Sequence, residues 1–358
     1  MKQRSDIFLR GFKVNKKIRV LIVDDSAIMR KLITEVLKKD QAIEIVGEAS
    51  DGVQAIEKTK ELRPDVITLD IEMPKMDGLT ALKYLKKESP NSKIIMFSSL
   101  TQEGAKATIE ALSLGAHDFV PKPSSKSFLE SVQKIEKELV PKIKALVGYD
   151  VPLLSKVFAP TRALRPGLYR ILGIGVSTGG PQTLAEILKE LPSNFPVPIF
   201  IVQHMPPLFT AQLAERLDRD SKLKVKEAED GEPIKEGVVY IAPGDFHMEV
   251  SLDNRQKHIR LHQGPPRNNC RPAVDVLFES LAGVYGGTTL GLILTGMGRD
   301  GLEGAKKIKT RGGGIIAQDK ETSVVYGMPR AVVEAGLADE ILALPQIPQR
   351  LKELFRSY

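Results

Sequence analysis

The sequence predicts two α/β domains in tandem, each a doubly wound and mostly parallel sheet, the second carrying an antiparallel β insertion. Three observations carry this. From Ile18 onward, short apolar runs rich in β-branched residues alternate with stretches of helical spacing. A second alternation of the same kind begins at Ile171, after a Pro-bearing stretch with no clear period. Residues that carry chemistry stand just past the ends of the apolar runs, where an open parallel sheet gathers them on one edge. A length of 358 residues agrees, at about 150 residues per domain. The expected organisation is a leader over 1–17, a first domain over 18–138, a join over 139–168 and a second domain over 169–358.

Composition narrows the function classes. A net charge of +7, dispersed along the chain, is too weak to argue for nucleic acid. The single cysteine, Cys270, excludes an internal disulfide framework, fits a reducing cytosol and reads as a packed or incidental thiol. No apolar run approaches the roughly 20 residues of a membrane span. Met1 to Lys17 is basic and polar without a secretory apolar core, and reads as a disordered leader.

The first domain divides into five βα units. Strands are expected over Ile18–Val23, Ile43–Gly47, Val66–Leu69, Lys93–Phe97 and Asp118–Val120. Helices are expected over Ala27–Lys39, Gly52–Leu62, Leu79–Lys87, Ala105–Leu114 and Phe128–Val147, the last interrupted at Pro141. The strand ends then bring Asp24, Asp25 and Asp70 together. Two readings compete. In one, Asp24 and Asp25 cap the next helix while Asp70 and Lys122 are surface charges. In the other, three carboxylates at one spot repel unless a divalent cation sits among them, and oxygen ligands in a hydrated site suit Mg²⁺. Ser98 then offers a hydroxyl and Lys122 a mobile point charge, with a cis bond at Pro123 expected to fix its approach. Carboxylate, cation, hydroxyl and ammonium together suit an aspartyl phosphate.

The segments Val23-Asp-Asp-Ser26, Leu69-Asp-Ile-Glu-Met-Pro74, Asp77-Gly78, Met96-Phe-Ser-Ser99 and Lys122-Pro123 closely resemble a two-component response-regulator receiver domain over about residues 18–135. The resemblance implies that Asp70 accepts phosphate. It implies Mg²⁺ held by Asp24, Asp25, Asp70 and the Glu72 backbone carbonyl, with Ser98 and Lys122 as the phosphoryl switch.

Residues 148–169 carry Pro152, Pro160 and Pro166 and read as a linker, with Arg162, Arg165 and Arg170 either solvated or a docking surface. Beyond it, Ile171–Val176 reads as a buried strand that Gly179, Gly180 and Pro181 end and turn into a helix through Thr183–Glu190. Next come a strand over Val197–Val202 and a helix over Leu208–Asp218. Four short strands (Val225–Glu227, Val238–Ile241, His247–Leu252 and His258–Leu261), with turns at Asp230-Gly231 and Pro243-Gly244, look like an antiparallel patch. The pattern then returns to helix over Pro272–Val284, strand over Thr288–Leu294, helix over Leu302–Lys309 and strand over Gly312–Ala317. Tyr326 to Arg330 opens a further helix, and Leu351–Phe355 closes the chain as another.

Gly175-Val-Ser177-Thr-Gly179 matches the G-x-S-x-G nucleophile pattern on a strand-to-helix turn. Two other readings stay open on this stretch alone: a plain Gly-rich turn with an idle serine, and a dinucleotide loop begun by Gly173 and Gly175. The loop reading lacks its third glycine, because Thr178 holds that place. His204 and Asp300 also stand just past parallel strands, so the three can meet at one edge. A serine hydroxyl needs a base, imidazole suits that role, and a carboxylate fixes its tautomer. Taken singly, His204 is equally a loop histidine and Asp300 equally a helix cap. Thr178 and Met297 offer backbone N–H groups for an oxyanion hole. The order Ser, His, Asp disfavours the α/β-hydrolase fold.

Gly175-Val-Ser-Thr-Gly-Gly-Pro181, Val202-Gln-His-Met-Pro206, Arg271-Pro-Ala-Val-Asp275, Leu294-Thr-Gly-Met-Gly-Arg-Asp-Gly301 and Ser323-Val-Val-Tyr-Gly-Met-Pro329 resemble the catalytic domain of chemotaxis protein-glutamate methylesterases. With the receiver in front, the resemblance covers nearly all of residues 18–355. It implies a cytoplasmic enzyme that hydrolyses γ-glutamyl methyl esters on methylated chemoreceptors, releases methanol and deamidates specific receptor glutamines. A chemotaxis histidine kinase is the implied phosphodonor. The expected enzyme is a monomer, without nucleic acid, membrane insertion or a cofactor in its catalytic domain. Its receiver is expected to cover the Ser177 edge until Asp70 is phosphorylated. A transcription factor and a scaffolding module are the rival classes. The α/β pattern after residue 170 argues against the first, and loss of activity in Ser177→Ala distinguishes the second.

Overall fold

In the computed structural model, the described residues are 17–123, 127–149, 163–253 and 255–356. The leader up to residue 16 and most of the linker, Pro152, Pro160 and Arg162 included, lie outside them. Among the described residues no helix is long and apolar enough to cross a membrane.

The first sheet has strands β1 (Ile18–Val23), β2 (Ile43–Ala49), β3 (Val66–Asp70), β4 (Lys93–Ser98) and β5 (Asp118–Pro121) in the order β2-β1-β3-β4-β5. The pairings of β1 with β2, β1 with β3 and β3 with β4 are parallel. Helices α1 (Ala27–Leu37), α2 (Gly52–Leu62), α3 (Gly78–Glu88), α4 (Gln102–Ser113) and α5 (Phe128–Leu146) complete the five units. Each helix opens on a side-chain cap: Ser26, Asp51, Asp77, Thr101 and Ser127 accept from the N–H groups of Met29, Gln54, Thr80, Gly104 and Glu130. Strand order reverses between β1 and β3, so the crevice of this sheet opens beside Asp24 and Asp70. The expected break at Pro141 does not occur. Val132, Ile135, Leu139, Ile143 and Leu146 continue one buried stripe across it. The lost N–H bond is outweighed by that apolar face.

The second sheet is wider. It contains β6 (Ile171–Val176), β7 (Ile199–Gln203), β8 (Lys224–Glu227), β9 (Val238–Ile241), β12 (Thr289–Ile293), β13 (Gly314–Gln318) and β14 (Glu340–Leu342). Its order is β14-β13-β12-β6-β7-β9-β8, with every pairing parallel. Around it run α6 (Gly180–Glu190), α7 (Phe209–Asp220), α8 (Val274–Tyr285), α9 (Leu302–Thr310), α10 (Met328–Glu334) and α11 (Ile347–Leu354). The antiparallel insertion is smaller than the four strands expected. Only β10 (His247–Asp253) and β11 (Gln256–His262) form it, as a hairpin. The strands at 224–227 and 238–241 instead extend the main sheet. Asp230-Gly231 reads locally as a hairpin turn, but Gly231 N–H donates to Ile259 of β11 and Ile259 N–H returns to Glu232. Those bonds tie the connection to the hairpin while the chain crosses to a parallel partner.

Strand β6 is the axis of this domain, with all six residues buried. A Cβ at Gly173 would lie 2.6 Å from Leu281 Cδ1, and one at Gly175 would meet Val274, both on α8. The G-x-G pair therefore makes room for a packed helix, which accounts for it without a dinucleotide.

Candidate active site and metal centre

At the mouth of the first sheet, Asp24 and Asp70 are buried and Asp25 is exposed, with carboxylate oxygens of all three within 4.8 Å of one another. Lys122 Nζ lies 2.7 Å from Asp70 Oδ2 and 3.6 Å from Asp24 Oδ2. Ser26 N–H donates to Asp24 Oδ1 and Glu72 N–H to Asp70 Oδ1. Asp24 Oδ2 is buried with no hydrogen-bond partner, and Asp70 Oδ2 has its ion pair to Lys122 but no directed hydrogen bond. Burial, with the Asp70 charge behind it, pushes Asp24 up to about 6. Burial also raises Asp70, against the pull of Lys122. Lys122 is itself raised, because Asp70 and Asp24 outweigh the effect of its burial. Two under-satisfied buried oxygens facing one space fit a hard divalent cation such as Mg²⁺. Ser98 ends β4 beside them, and its carbonyl accepts from Lys122 N–H at 2.7 Å. That bond and the ion pairs fix the lysine's approach. The expected cis bond at Pro123 is absent, the one cis peptide among the described residues being Arg271–Pro272.

The second site lies beyond β6, β7 and β12, which are neighbours in the sheet. Ser177 follows β6. Its N–H donates to Thr295 O, and its carbonyl accepts from Gly180 N–H and Gln203 Nε2. Gly179 closes the turn with φ 78°, and a Cβ there would lie 2.6 Å from Val324. His204 follows β7, with its N–H donating to Val176 O. Its Nε2 lies 2.8 Å from Asp300 Oδ2.

Five hydrogen bonds converge on the buried Asp300 carboxylate. Oδ2 accepts from His204 and from Val274 N–H, and Oδ1 from Asn268 Nδ2, Asp275 N–H and Gly301 N–H. Val274 and Asp275 open α8, so the positive end of that helix also faces the carboxylate. Asp300 is thus a cap of α8 and the partner of His204 at once. Burial raises its carboxyl, but His204 and these donors more than offset it and hold it below the usual range. Burial pushes the His204 imidazole down, but Asp300 and the Cys270 thiol outweigh it and raise the ring above its ordinary value. Ligand atoms of His204, Cys270 and Asp300 lie within 4.8 Å of one another, though the protein's own donors already occupy both Asp300 oxygens.

Among the described residues no hydrogen bond joins Ser177 Oγ to His204, whose ring bonds to Asp300. Neither Thr178 N–H nor Met297 N–H donates to a protein acceptor among the described residues. The Met297 loop is held from below. Gly296 N–H donates to Val325 O, and Gly296 O accepts from Gly327 and Met328 N–H.

A family model described as CheB methylesterase matches residues 172–351, and one described as response regulator receiver domain matches residues 20–133. A protein-glutamate methylesterase/protein-glutamine glutaminase of Thermotoga maritima is 48% identical over 343 residues, covering 95% of this chain and 99% of that protein. One of Pyrococcus abyssi with the same name is 45% identical over 360 residues, covering 96% and 95%. The chain belongs to the CheB methylesterase family. The crystal structure of the Thermotoga maritima CheB methylesterase catalytic domain is similar at 53% identity and a TM-score of 0.51, covering 52% of this chain and 98% of that one. Both sites lie inside the matched segments of the family.

Sequence reasoning missed Asn268, Cys270, Gln203 and Thr295. Thr295 Oγ1 donates to Thr178 O and accepts from Val325 N–H, so it ties the Ser177 turn to the 323–329 segment. Asn268-Asn269 carried a readable signal, since asparagine tolerates left-handed backbone. Nothing local marks what that turn would touch.

Proposed function

We propose that this chain is a phosphorylation-controlled protein-glutamate methylesterase of chemotactic adaptation, acting in the cytoplasm on methylated chemoreceptors. The 2.8 Å contact between His204 Nε2 and Asp300 Oδ2, on the sheet edge that also presents Ser177, carries the reading. The family's name supplies the substrate class.

Ser177 Oγ attacks the γ-carbonyl carbon as His204 takes its proton. Apo contacts of this kind often close only with substrate bound, which suits the open Ser177–His204 gap. Asp300 fixes the ring and stabilises the imidazolium. Thr178 and Met297 N–H donate to the oxyanion. Collapse of the intermediate expels methanol, protonated by His204. Water deprotonated by His204 then cleaves the acyl-serine, returning Ser177 and a glutamate carboxylate. A glutamine side chain follows the same route with ammonia as leaving group.

In the receiver, Asp70 takes a phosphoryl group from a histidine kinase. Asp24, Asp25, Asp70 and the Glu72 carbonyl would hold Mg²⁺, which when bound offsets the negative charge of the phosphoryl oxygens. Lys122 pairs with one of those oxygens and Ser98 donates to another. The unphosphorylated receiver restrains the esterase, and a tenfold release needs only about 1.4 kcal/mol of differential stability. The enzyme works as a monomer.

The test is methanol release from a methylated receptor cytoplasmic fragment, with and without Mg²⁺ and a small phosphodonor, with Ser177→Ala alongside. Release that requires Ser177 and rises with phosphodonor is expected. No release from a substrate proven to be methylated would sink the esterase reading. Release indifferent to phosphodonor would sink the control through Asp70.

A further inference from the structure

Residues 267–270 form a tight turn beside the His204–Asp300 pair. Arg267 and Cys270 exchange backbone hydrogen bonds at 3.0 and 2.8 Å. Both residues between them are left-handed, Asn268 at φ 52° and Asn269 at φ 61°. The turn is clamped on each side. Arg267 forks onto Glu279 of α8 at 2.7 and 2.9 Å, and Arg271 pairs with Asp245. The Asn268 side chain therefore leaves a fixed platform.

We infer that Asn268 is a positioning residue of the esterase, whose amide holds the Asp300 carboxylate aimed at His204. The inference rests on the Ser177–His204–Asp300 reading. Asn268 Nδ2 lies 2.9 Å from Asp300 Oδ1 and 2.8 Å from Asp275 Oδ2. These two carboxylates are 3% and 1% exposed. A primary amide has two N–H groups, one for each. A hydroxyl has a single proton, and a carboxylate would add a third negative charge. Asp275 is held from its other side, where Oδ1 accepts Gly304 N–H at 2.8 Å at the start of α9. With Asn268, Asp275 N–H and Gly301 N–H all on Oδ1, the Asp300 carboxylate cannot rotate, and Oδ2 stays on His204. Cys270, at the far end of the same turn, brings its Sγ within 4.8 Å of a His204 ring nitrogen. One short turn thus approaches both members of the pair. The other titratable groups acting on them are Asp275, Arg267 and His247.

The experiment uses the full chain and three variants. Asn268→Gly keeps a residue at ease with positive φ and removes the amide. Its melting temperature is expected to fall modestly, because Asp275 Oδ2 loses its donor, with the fold retained, while kcat for methanol release falls at least tenfold and KM for the receptor fragment is unchanged. Asn268→Asp is nearly isosteric and keeps the inference testable if the glycine variant does not fold. Its added charge favours the His204 imidazolium, so the acid limb of its kcat profile is expected to move to higher pH. Ser177→Ala is measured in parallel. Turnover surviving in Ser177→Ala would overturn the triad reading itself. Loss in Ser177→Ala beside a folded Asn268→Gly within twofold of the parent, a defect confined to KM, or an unmoved acid limb in Asn268→Asp would overturn the role of Asn268 alone.

Discussion

Replacing Asp300 by Asn changes one atom and separates the two roles that residue plays. Oδ1 accepts three N–H donors and Oδ2 accepts Val274 N–H and His204. An NH₂ group placed on either side faces at least two donors with nothing to accept them. Each buried donor left unpaired costs about 1–3 kcal/mol, so the domain is expected to lose roughly 2–6 kcal/mol of stability. Catalysis suffers for a separate reason. The amide cannot hold His204 in the tautomer that leaves its other nitrogen free for Ser177. The equivalent change in a serine-protease triad lowers turnover by about 10⁴-fold, and a loss of that order is expected. The pH profile isolates the charge. His204 must be neutral to act as base, and Asp300 is a cause of its raised pKa. In the parent, activity is expected to rise with pH as the His204 imidazolium loses its proton. Without the carboxylate the acid limb is expected to move to lower pH by at least one unit, which is about 1.4 kcal/mol of lost pairing. Linkage gives the same sign for stability. The raised His204 contributes stability that is full below its unfolded value near 6.5 and is lost as pH rises through its folded value. Urea unfolding of the parent is therefore expected to weaken on the alkaline side, and that of Asp300→Asn to weaken less. Methanol-release profiles and urea melts of both proteins measure this. An acid limb at the same pH in both would mean that Asp300 only caps α8.

Asp24, pushed up to about 6 from 3.8, makes the folded receiver less stable at neutral pH. The folded state holds that proton more tightly, so stability falls as pH rises through this window, by about 3 kcal/mol in all. Asp24→Asn is expected to stabilise the receiver at neutral pH by up to that amount and not below the window. Mg²⁺ is expected to raise the melting temperature of the parent and not of the variant. Equal response to Mg²⁺ in both would remove Asp24 from the metal centre. Gly179→Ala is expected to cost about 1–3 kcal/mol in urea unfolding, from φ 78° and a Cβ 2.6 Å from Val324, and to lower kcat by moving Ser177. An alanine variant with parental stability and rate would show that the turn tolerates a side chain.

What could be read from the chain, and what could not, follows from how each residue reaches its place. Strands such as Ile18–Val23, Ile171–Val176 and Val238–Ile241 declare themselves, because a strand buried on both faces is one apolar run with polar or glycine ends. Helix starts are blurred. α4 begins at Gln102 rather than Ala105 and α3 at Gly78 rather than Leu79, since first turns are polar and show no apolar period. Ser177, His204 and Asp300 were legible for a topological reason: Ser177 and His204 directly follow β6 and β7, Asp300 stands on the loop between β12 and α9, and these neighbouring parallel strands deliver their ends to one edge. Asn268 arrives differently. It lies on a turn after the β10–β11 hairpin, and anchors such as those to Glu279 and Asp245 bring it to Asp300. The same blindness made Asp230-Gly231 look like a hairpin turn, because its ties to β11 are distant in sequence. The ends of β6 and β7 therefore disclose the candidate reacting groups, while the groups bonded to them come from loops placed by tertiary contact. That division predicts where the family's chemistry is robust and where it is tunable. Substitution at a strand end removes the reaction, and substitution in the 267–271 turn grades it.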